Sequence, residues 1–154
     1  METDRLTRWM TLGANFGVLV GLLLLVGEIR QTNSIAKAEA ANALTQNYLM
    51  FMQMHRDPRQ IAAFHRSDGE WEQMNFEERF LIGSTGGAFL KILETAYYQH
   101  KFGVYENDQF ASDVALLDSG LEQSWVRRIW QQSADSYSEE FRNFVNERLE
   151  KLDR

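Results

Sequence analysis

The chain has 154 residues, and its 22 Asp and Glu outnumber its 16 Lys and Arg, giving a formal net charge of −6. Charges of both signs are spread along it, so no basic patch is available to neutralise phosphates, which argues against nucleic acid as a partner. There is no cysteine, which excludes disulfides, thiolate nucleophiles and cysteine metal ligands. The length suits an anchor plus one compact domain: a flank at 1–8, an anchor at 9–27 and a helical domain at 28–154.

An uncharged apolar stretch, WMTLGANFGVLVGLLLLVG, runs from Trp9 to Gly27. Its 19 residues would form a helix of about 28 Å, close to the thickness of the hydrocarbon core of a bilayer. Arg8 at one end and Glu28 at the other mark the interfaces. We therefore predict a single transmembrane helix. Two alternatives have the same apolar pattern: a cleaved signal peptide, although no small-residue cleavage site closes the stretch, and the core helix of a soluble protein.

Three glycines in this stretch, Gly13, Gly17 and Gly21, recur every four residues. This spacing places them on one face of a helix. In lipid, small residues so spaced let two helix backbones approach closely, so the sequence predicts an interaction face for another membrane helix. The alternative is that the pattern marks no specific contact, because glycine is common in membrane helices.

The helix is expected to continue beyond the anchor. Alanine is frequent after Gly27, and no proline occurs before Pro58. The pattern predicts helix to about His55, which makes one rod of about 50 residues with the anchor as its first half. Asp57 ends the rod, because the residue before a proline disfavours the α conformation, and Pro58 starts a short second helix.

Another long helix is predicted from Phe76 to about Lys101, with Asn75 as its N-cap. The side chains expected to face a core are Phe80, Gly83, Gly87, Leu90, Ile92, Leu93, Ala96 and Tyr97.

A glycine-rich run lies inside this helix, where each glycine costs about 1 kcal/mol relative to alanine. We interpret Gly83, Gly86 and Gly87 as the place of a close helix crossing, with the alanine-rich part of the rod as the expected partner. The alternative is a local break or kink.

Gly103 is predicted to cap that helix in the left-handed conformation. Helices then follow at Glu106 to about Ser119, closed by Gly120, and at Leu121 to Gln132, and a last helix is capped by Ser138. No strand pattern is present. The predicted fold is all-α: a single N-terminal transmembrane helix continuing into a long rod, packed with a small helical bundle.

The titratable side chains form no catalytic motif. Neither an HExxH motif nor a histidine pair at i, i+4 occurs among His55, His65 and His100. Glu94 lies on a mostly apolar helix beside two tyrosines, where a carboxylate must be paired or exposed. We expect a structural hydrogen bond there and not an acid–base role. The prediction is a non-enzyme without cofactor or metal.

Three segments carry a resemblance: EIRQTN at 28–33, ETAYYQ at 94–99, and SEEFRNFV at 138–145, preceded by Trp130. With the apolar helix before them, they resemble a widespread bacterial family of small, uncharacterised proteins, over nearly the whole chain. The resemblance implies one N-terminal membrane helix and an α-helical domain, and it implies no activity. The chain differs from the family in the glycine run at 83–87, where relatives tend to be more aliphatic.

The leading hypothesis is a non-catalytic interaction or accessory subunit, which docks through its glycine face to an integral membrane protein or to a second copy of itself within the lipid bilayer. The alternative is a membrane-tethered ligand or stress sensor with a pocket between the rod and the Phe76–Lys101 helix. A third hypothesis is a hydrolase that uses Glu94 and His100. The expected location is the bacterial inner membrane. Basic residues flank both ends of the anchor, which leaves its orientation nearly balanced, and the resemblance favours a cytoplasmic domain.

Overall fold

Helices form almost all of the described chain, in a computed structural model that describes residues 2–54, 57–67 and 69–154. The helices are α1 (Glu2–Met54), α2 (Pro58–Ser67), α3 (Phe76–Lys101), α4 (Asn107–Leu121), α5 (Ser124–Ser133) and α6 (Glu139–Leu152). Single 3-10 turns at Trp71–Gln73 and Ala134–Ser136 precede α3 and α6. These ranges contain no strand, and the predicted all-α fold is confirmed. His55, the expected end of the rod, lies outside the described residues.

The chain divides into two units, Met1–Ala38 and Glu39–Arg154, and α1 contributes residues to both. The first unit is helix alone, built mainly from good helix formers such as leucine and alanine without proline. The second unit contains the end of α1 and helices α2–α6. The described part of the chain therefore has one unit with a packed core and one without.

Residues beside each end of α3 explain where it starts and stops. At the start, the Glu78 N–H donates to Asn75 Oδ1 over 2.9 Å, and the Asn75 N–H donates to the Glu78 carboxylate over 2.8 Å. This capping box satisfies two backbone donors that have no partner in the first turn. At the other end, Gly103 has φ of +73°, a conformation that glycine adopts without steric cost. Both predicted ends of the helix are confirmed.

The main core lies between α3 and the helices that follow it. Its fully buried residues include Ile82 and Leu90 of α3, Leu117 of α4, Val126 of α5 and Phe141 of α6. Core positions predicted at Leu90, Ile92, Leu93 and Ala96 are confirmed.

The core position predicted at Phe80 is wrong. This side chain is 62% exposed and stacks on the exposed Phe76 ring with a centroid separation of 6.2 Å. The buried face of α3 begins at Ile82, two residues and therefore about 200° of helix rotation further on.

A glycine expected to close a helix instead lies inside one. Gly120 is within α4, which ends at Leu121, and α5 begins only at Ser124. A Cβ at Gly120 would lie 3.0 Å from Cε1 of Phe89. The missing side chain therefore allows α4 to approach the buried ring of α3, and the predicted boundaries at 119–121 are corrected by two to three residues.

The short helix α2 is held to α3 by polar groups. Gln60 and Thr85 are both buried. The Gln60 amide nitrogen donates to the Thr85 hydroxyl oxygen, and that hydroxyl donates to the backbone carbonyl of Leu81 over 2.8 Å. Each of the two side chains thus has a partner, as buried polar groups require.

Candidate functional site

A continuous run of exposed apolar side chains belongs to the anchor segment, residues 9–27 of α1. Its side chains include Leu22, Leu23 and Leu24, each at least half exposed. Among the described residues, one helix is long and apolar enough to cross a membrane, and none of its apolar window is buried against the rest of the chain. A helix meets the main requirement of a bilayer, because all its backbone hydrogen bonds are internal.

The glycine face of the anchor segment is open. A Cβ placed on Gly13, Gly17 or Gly21 would meet no atom within 4 Å. The described chain therefore leaves room for a neighbouring backbone at all three positions, and docking at this face stays a prediction.

Of the three glycines in the run of α3, only one lies at a close contact with another helix. A Cβ on Gly86 would lie 2.5 Å from Cδ1 of Ile129 and 3.3 Å from Cζ3 of Trp125, whereas one on Gly83 or Gly87 would meet nothing within 4 Å. The predicted close crossing exists at Gly86 alone, and its partner is α5 and not the alanine-rich part of α1. Gly83 and Gly87 are corrected to open positions, and α3 is helical throughout the run.

Glu94 is tied to the start of α6. One carboxylate oxygen accepts the Ser138 N–H and the Ser138 hydroxyl, each over 2.9 Å, and the other accepts Lys91 Nζ over 2.6 Å. Burial alone would raise the pKa of the Glu94 carboxyl, but the hydrogen bonds from Lys91 and Ser138 outweigh it and lower that pKa. The predicted structural hydrogen bond is present, with serine and lysine as partners.

Ser138 does not cap α6 with its side chain. Its hydroxyl donates to Glu94, so the predicted serine cap is wrong in this respect.

A second buried carboxylate, Asp113 of α4, was not indicated by the sequence. Tyr48, near the end of α1, donates its hydroxyl to Asp113 Oδ1 over 3.0 Å, and Tyr105 also interacts with this carboxyl. Burial raises the pKa of Asp113, although hydrogen bonds from the two tyrosines act in the opposite direction. The pKa of Tyr105 rises to about 12, mainly through burial. Tyr48 and Asp113 are 65 positions apart, and no local pattern links them.

The two described histidines lie on different helices, His65 on α2 and His100 on α3. His65 is exposed. His100 stacks on Phe110 with the ring centroids 4.2 Å apart, and its Nδ1 lies 3.4 Å from the Tyr105 carbonyl oxygen. His55 lies outside the described residues. Within the ranges that the structure covers, no three His, Asp or Glu side chains come together as a metal site would need.

An open apolar groove of about 330 Å³ lies between the end of α1 and α3. It is in the range of volumes that small-molecule sites occupy. The groove has Phe51, Ile92 and Ala88 among its apolar lining, and Asn47, Thr95 and Lys91 supply polar groups. It lies where the sequence placed a pocket, between the rod and the Phe76–Lys101 helix.

Comparison with models of protein families, with curated proteins and with solved structures finds no match for this chain.

Proposed function

We propose that the chain is a membrane-anchored, non-catalytic interaction protein, an accessory subunit of a larger membrane assembly. The proposal rests on one observation: the anchor segment is an uncharged and mostly apolar stretch of helix that nothing in the described chain covers. Each large apolar side chain gains about 1.5–3 kcal/mol on leaving water, so this surface is stable when lipid or another apolar helix surrounds it.

The glycine face supports lateral docking of the anchor. Gly13, Gly17 and Gly21 leave the backbone accessible along one side. Helices in lipid associate through close packing of this kind, since lipid tails are as apolar as leucine and provide no hydrophobic drive between helices. The proposed partner is an integral membrane protein whose own helix presents a matching surface.

The test compares complexes in gently solubilised membranes by blue-native electrophoresis and affinity purification. Gly17→Leu is expected to release the partner, because the new side chain fills the space that a neighbouring backbone needs. Gly27→Leu is the matched control: it introduces the same side chain at another open glycine, about 15 Å along the helix and about 80° around it from Gly17. A wild-type protein that is strictly monomeric, or that stays outside the membrane fraction, contradicts the proposal.

For location, we propose the bacterial inner membrane with residues 39–154 in the cytoplasm. The support is the resemblance described above. A green fluorescent protein fused to the carboxyl terminus is expected to fluoresce, and an alkaline phosphatase fused there to be inactive. Active phosphatase would reverse the orientation without affecting the proposed docking.

The second candidate function is a membrane-tethered ligand sensor, which the groove beside α3 favours. Lys91 at its edge is paired with Glu94, so a neutral amphiphile suits the groove better than an anion. Residues 39–154 with 1-octanol are expected to unfold at a higher temperature than without it, because a ligand that binds the folded state stabilises it.

Ala88→Trp would fill the groove and remove this shift, whereas Ala115→Trp on the exposed side of α4 would retain it. If octanol leaves the wild-type transition unchanged, the support for a sensor is lost.

A further inference from the structure

Two polar side chains, Thr11 and Asn15, interrupt the anchor segment. The Thr11 hydroxyl donates to the Thr7 backbone carbonyl over 2.9 Å. Asn15 is exposed on α1, and it lies three residues from Val18, the middle of the stretch 9–27. At 1.5 Å per residue it is about 4.5 Å from the midplane, well within the hydrocarbon core. An amide in hydrocarbon is costly unless it is hydrogen-bonded, so its position calls for a polar partner.

Apolar residues continue from Asn15 with a heptad spacing. Leu12, Asn15, Leu19, Leu22 and Val26 follow one another at steps of three, four, three and four residues, the pattern of the seam in a coiled coil. All are exposed in the described chain. We call these five residues the asparagine seam.

The asparagine seam and the glycine face lie on opposite sides of the helix. Asn15 is two residues from Gly17, which corresponds to about 200° of rotation. A partner on the glycine face therefore cannot reach the Asn15 amide, and that amide needs a different neighbour.

We propose that the asparagine seam pairs the chain with a parallel second copy of itself; this inference rests on the membrane insertion in the proposed function and not on its glycine face. Copies inserted in the same direction hold Asn15 at the same depth. An amide carries both a donor and an acceptor, so two Asn15 side chains satisfy each other across the seam. Leucine and valine at the remaining positions pack as knobs into holes, and the asparagine sets the register.

The absence of native cysteine permits a direct test on the full-length chain in membranes. Leu22→Cys places a thiol in the seam, and Leu24→Cys places one on the glycine side, about 200° away. After mild oxidation, the Leu22→Cys protein is expected to form a disulfide-linked dimer, and the Leu24→Cys protein to remain monomeric.

Variants of Asn15 in the Leu22→Cys background then test the amide itself. Asn15→Leu is expected to lower the dimerisation constant by about three- to thirtyfold, the range for an interhelical hydrogen bond in membranes. Asn15→Gln keeps an amide and is expected to retain most of the cross-link. Equal cross-linking of the Asn15→Leu protein overturns the role of the amide.

The other outcomes separate this inference from the proposed function. Cross-linking at Leu24→Cys and not at Leu22→Cys assigns self-association to the glycine side and overturns the asparagine seam, leaving the membrane anchor intact. No cross-link at either position, with the protein in the membrane fraction, also overturns the seam and leaves docking to a different protein. Protein outside the membrane fraction overturns both.

Discussion

At the scale of single residues, the two buried carboxylates among the described residues of the second unit, Glu94 and Asp113, have pKa values shifted in opposite directions. Glu94 accepts hydrogen bonds from Ser138 and Lys91, and its pKa is lowered. The described donors to Asp113 are the hydroxyls of Tyr48 and Tyr105, and burial raises its pKa. A carboxylate inside a protein is therefore stabilised by the charge and number of its donors, and burial alone does not decide its ionisation.

The first prediction concerns Glu94. Because its pKa is lowered in the folded state, its ionised form contributes stability above the unfolded pKa, and that contribution is lost as pH falls through the folded pKa. Glu94→Ala is expected to lower the free energy of unfolding at pH 7 by about 1–3 kcal/mol, because the Ser138 donors lose their acceptor. Urea unfolding of residues 39–154 measures this.

Two comparisons make the Glu94 test specific. Glu94→Gln keeps an acceptor for Ser138 but loses the attraction to Lys91. At pH 7 its free energy of unfolding is therefore expected to be lower than that of the wild type, and this difference is expected to shrink at pH values below the folded pKa. Glu150→Gln, at an exposed carboxylate of α6, is the control and should change stability by less than about 0.5 kcal/mol. If the loss of unfolding free energy in Glu94→Gln does not vary with pH, the ionised carboxylate of Glu94 does not contribute to stability.

The second prediction concerns Asp113, whose pKa is shifted in the opposite direction, so that the pH dependence of stability is also opposite. A raised folded pKa means that the protonated carboxyl is favoured in the folded state, so stability present below the unfolded pKa is lost as pH rises through the folded pKa. Asp113→Asn retains an acceptor for Tyr48 without a charge. It is expected to be more stable than wild type at pH 7, with the difference vanishing in acid, as measured by thermal unfolding across pH. A less stable Asn variant at pH 7 would refute this.

The third prediction compares the glycines of α3. Gly83→Ala introduces a better helix former into open space and is expected to stabilise the protein by up to about 1 kcal/mol. Gly86→Ala also introduces a better helix former, but the new methyl group crowds Ile129, and overpacking of this kind costs about 1–3 kcal/mol. The Gly86 variant should therefore be the less stable of the two in urea unfolding.

Adding Ile129→Val removes the Cδ1 atom that the new methyl group would meet. It is expected to recover part of the loss in Gly86→Ala and to destabilise the wild type. Additive effects of the two substitutions would show that the contact is not the cause.

At the scale of elements, the ends of α3 could be read from the sequence because the residues responsible are adjacent to them. The Asn75 capping box and the positive φ of Gly103 act within a few positions of the helix. The anchor segment is recognised equally simply, since composition and length alone identify a helix that could span a bilayer. The bond between Ser138 and Glu94 joins residues 44 positions apart. Because the Ser138 hydroxyl donates to Glu94, it does not cap the start of α6. The residues next to Ser138 in the sequence do not indicate this distant partner.

The end of α1 is a second element whose role depends on distant residues. Leu44 is 2% exposed and packs in a small cluster with Ile92 and Ala96 of α3. Tyr48, one turn later, donates to Asp113 of α4. This part of α1 thus belongs to the core of the second unit, and the sequence did not indicate its partners in α3 and α4.

The fourth prediction tests this contact. Leu44→Ala is expected to lower the free energy of unfolding of residues 39–154 by about 2–5 kcal/mol, as is usual when a buried leucine leaves a cavity. Leu49→Ala, on the same helix but 58% exposed, is the matched control and should have little effect. Equal effects of the two substitutions would show that the end of α1 does not form part of the core.

At the scale of the whole molecule, the division falls inside a helix. The first unit ends at Ala38 and the second begins at Glu39, while α1 extends from Glu2 to Met54. The boundary between the two units therefore falls within one continuous helix, and the start of a helical domain at residue 28 stays a prediction.

The fifth prediction follows from this boundary. A protein of residues 39–154 is expected to be soluble without detergent and to unfold cooperatively. A protein of residues 57–154 lacks Leu44 and Tyr48, so it exposes Ile92 and leaves Asp113 with one donor fewer. It should unfold at a lower temperature, with a loss at least as large as that of Leu44→Ala. Thermal unfolding followed by circular dichroism measures the midpoints of the two proteins. Equal midpoints would contradict the inclusion of the end of α1 in the core of the second unit.

The buried pair between α2 and α3 has a consequence for how the ten residues of α2 are aligned. Apolar surfaces tolerate sliding, because one methyl group can replace another. The two hydrogen bonds, from the Gln60 amide to the Thr85 hydroxyl and from that hydroxyl to the Leu81 carbonyl, do not tolerate it, since a shift by one turn of about 5.4 Å would leave the Gln60 amide buried without an acceptor. This pair of hydrogen bonds thus favours one register of α2 against α3, and it gives Thr85 a part in aligning the helix beside the Arg66–Glu78 ion pair.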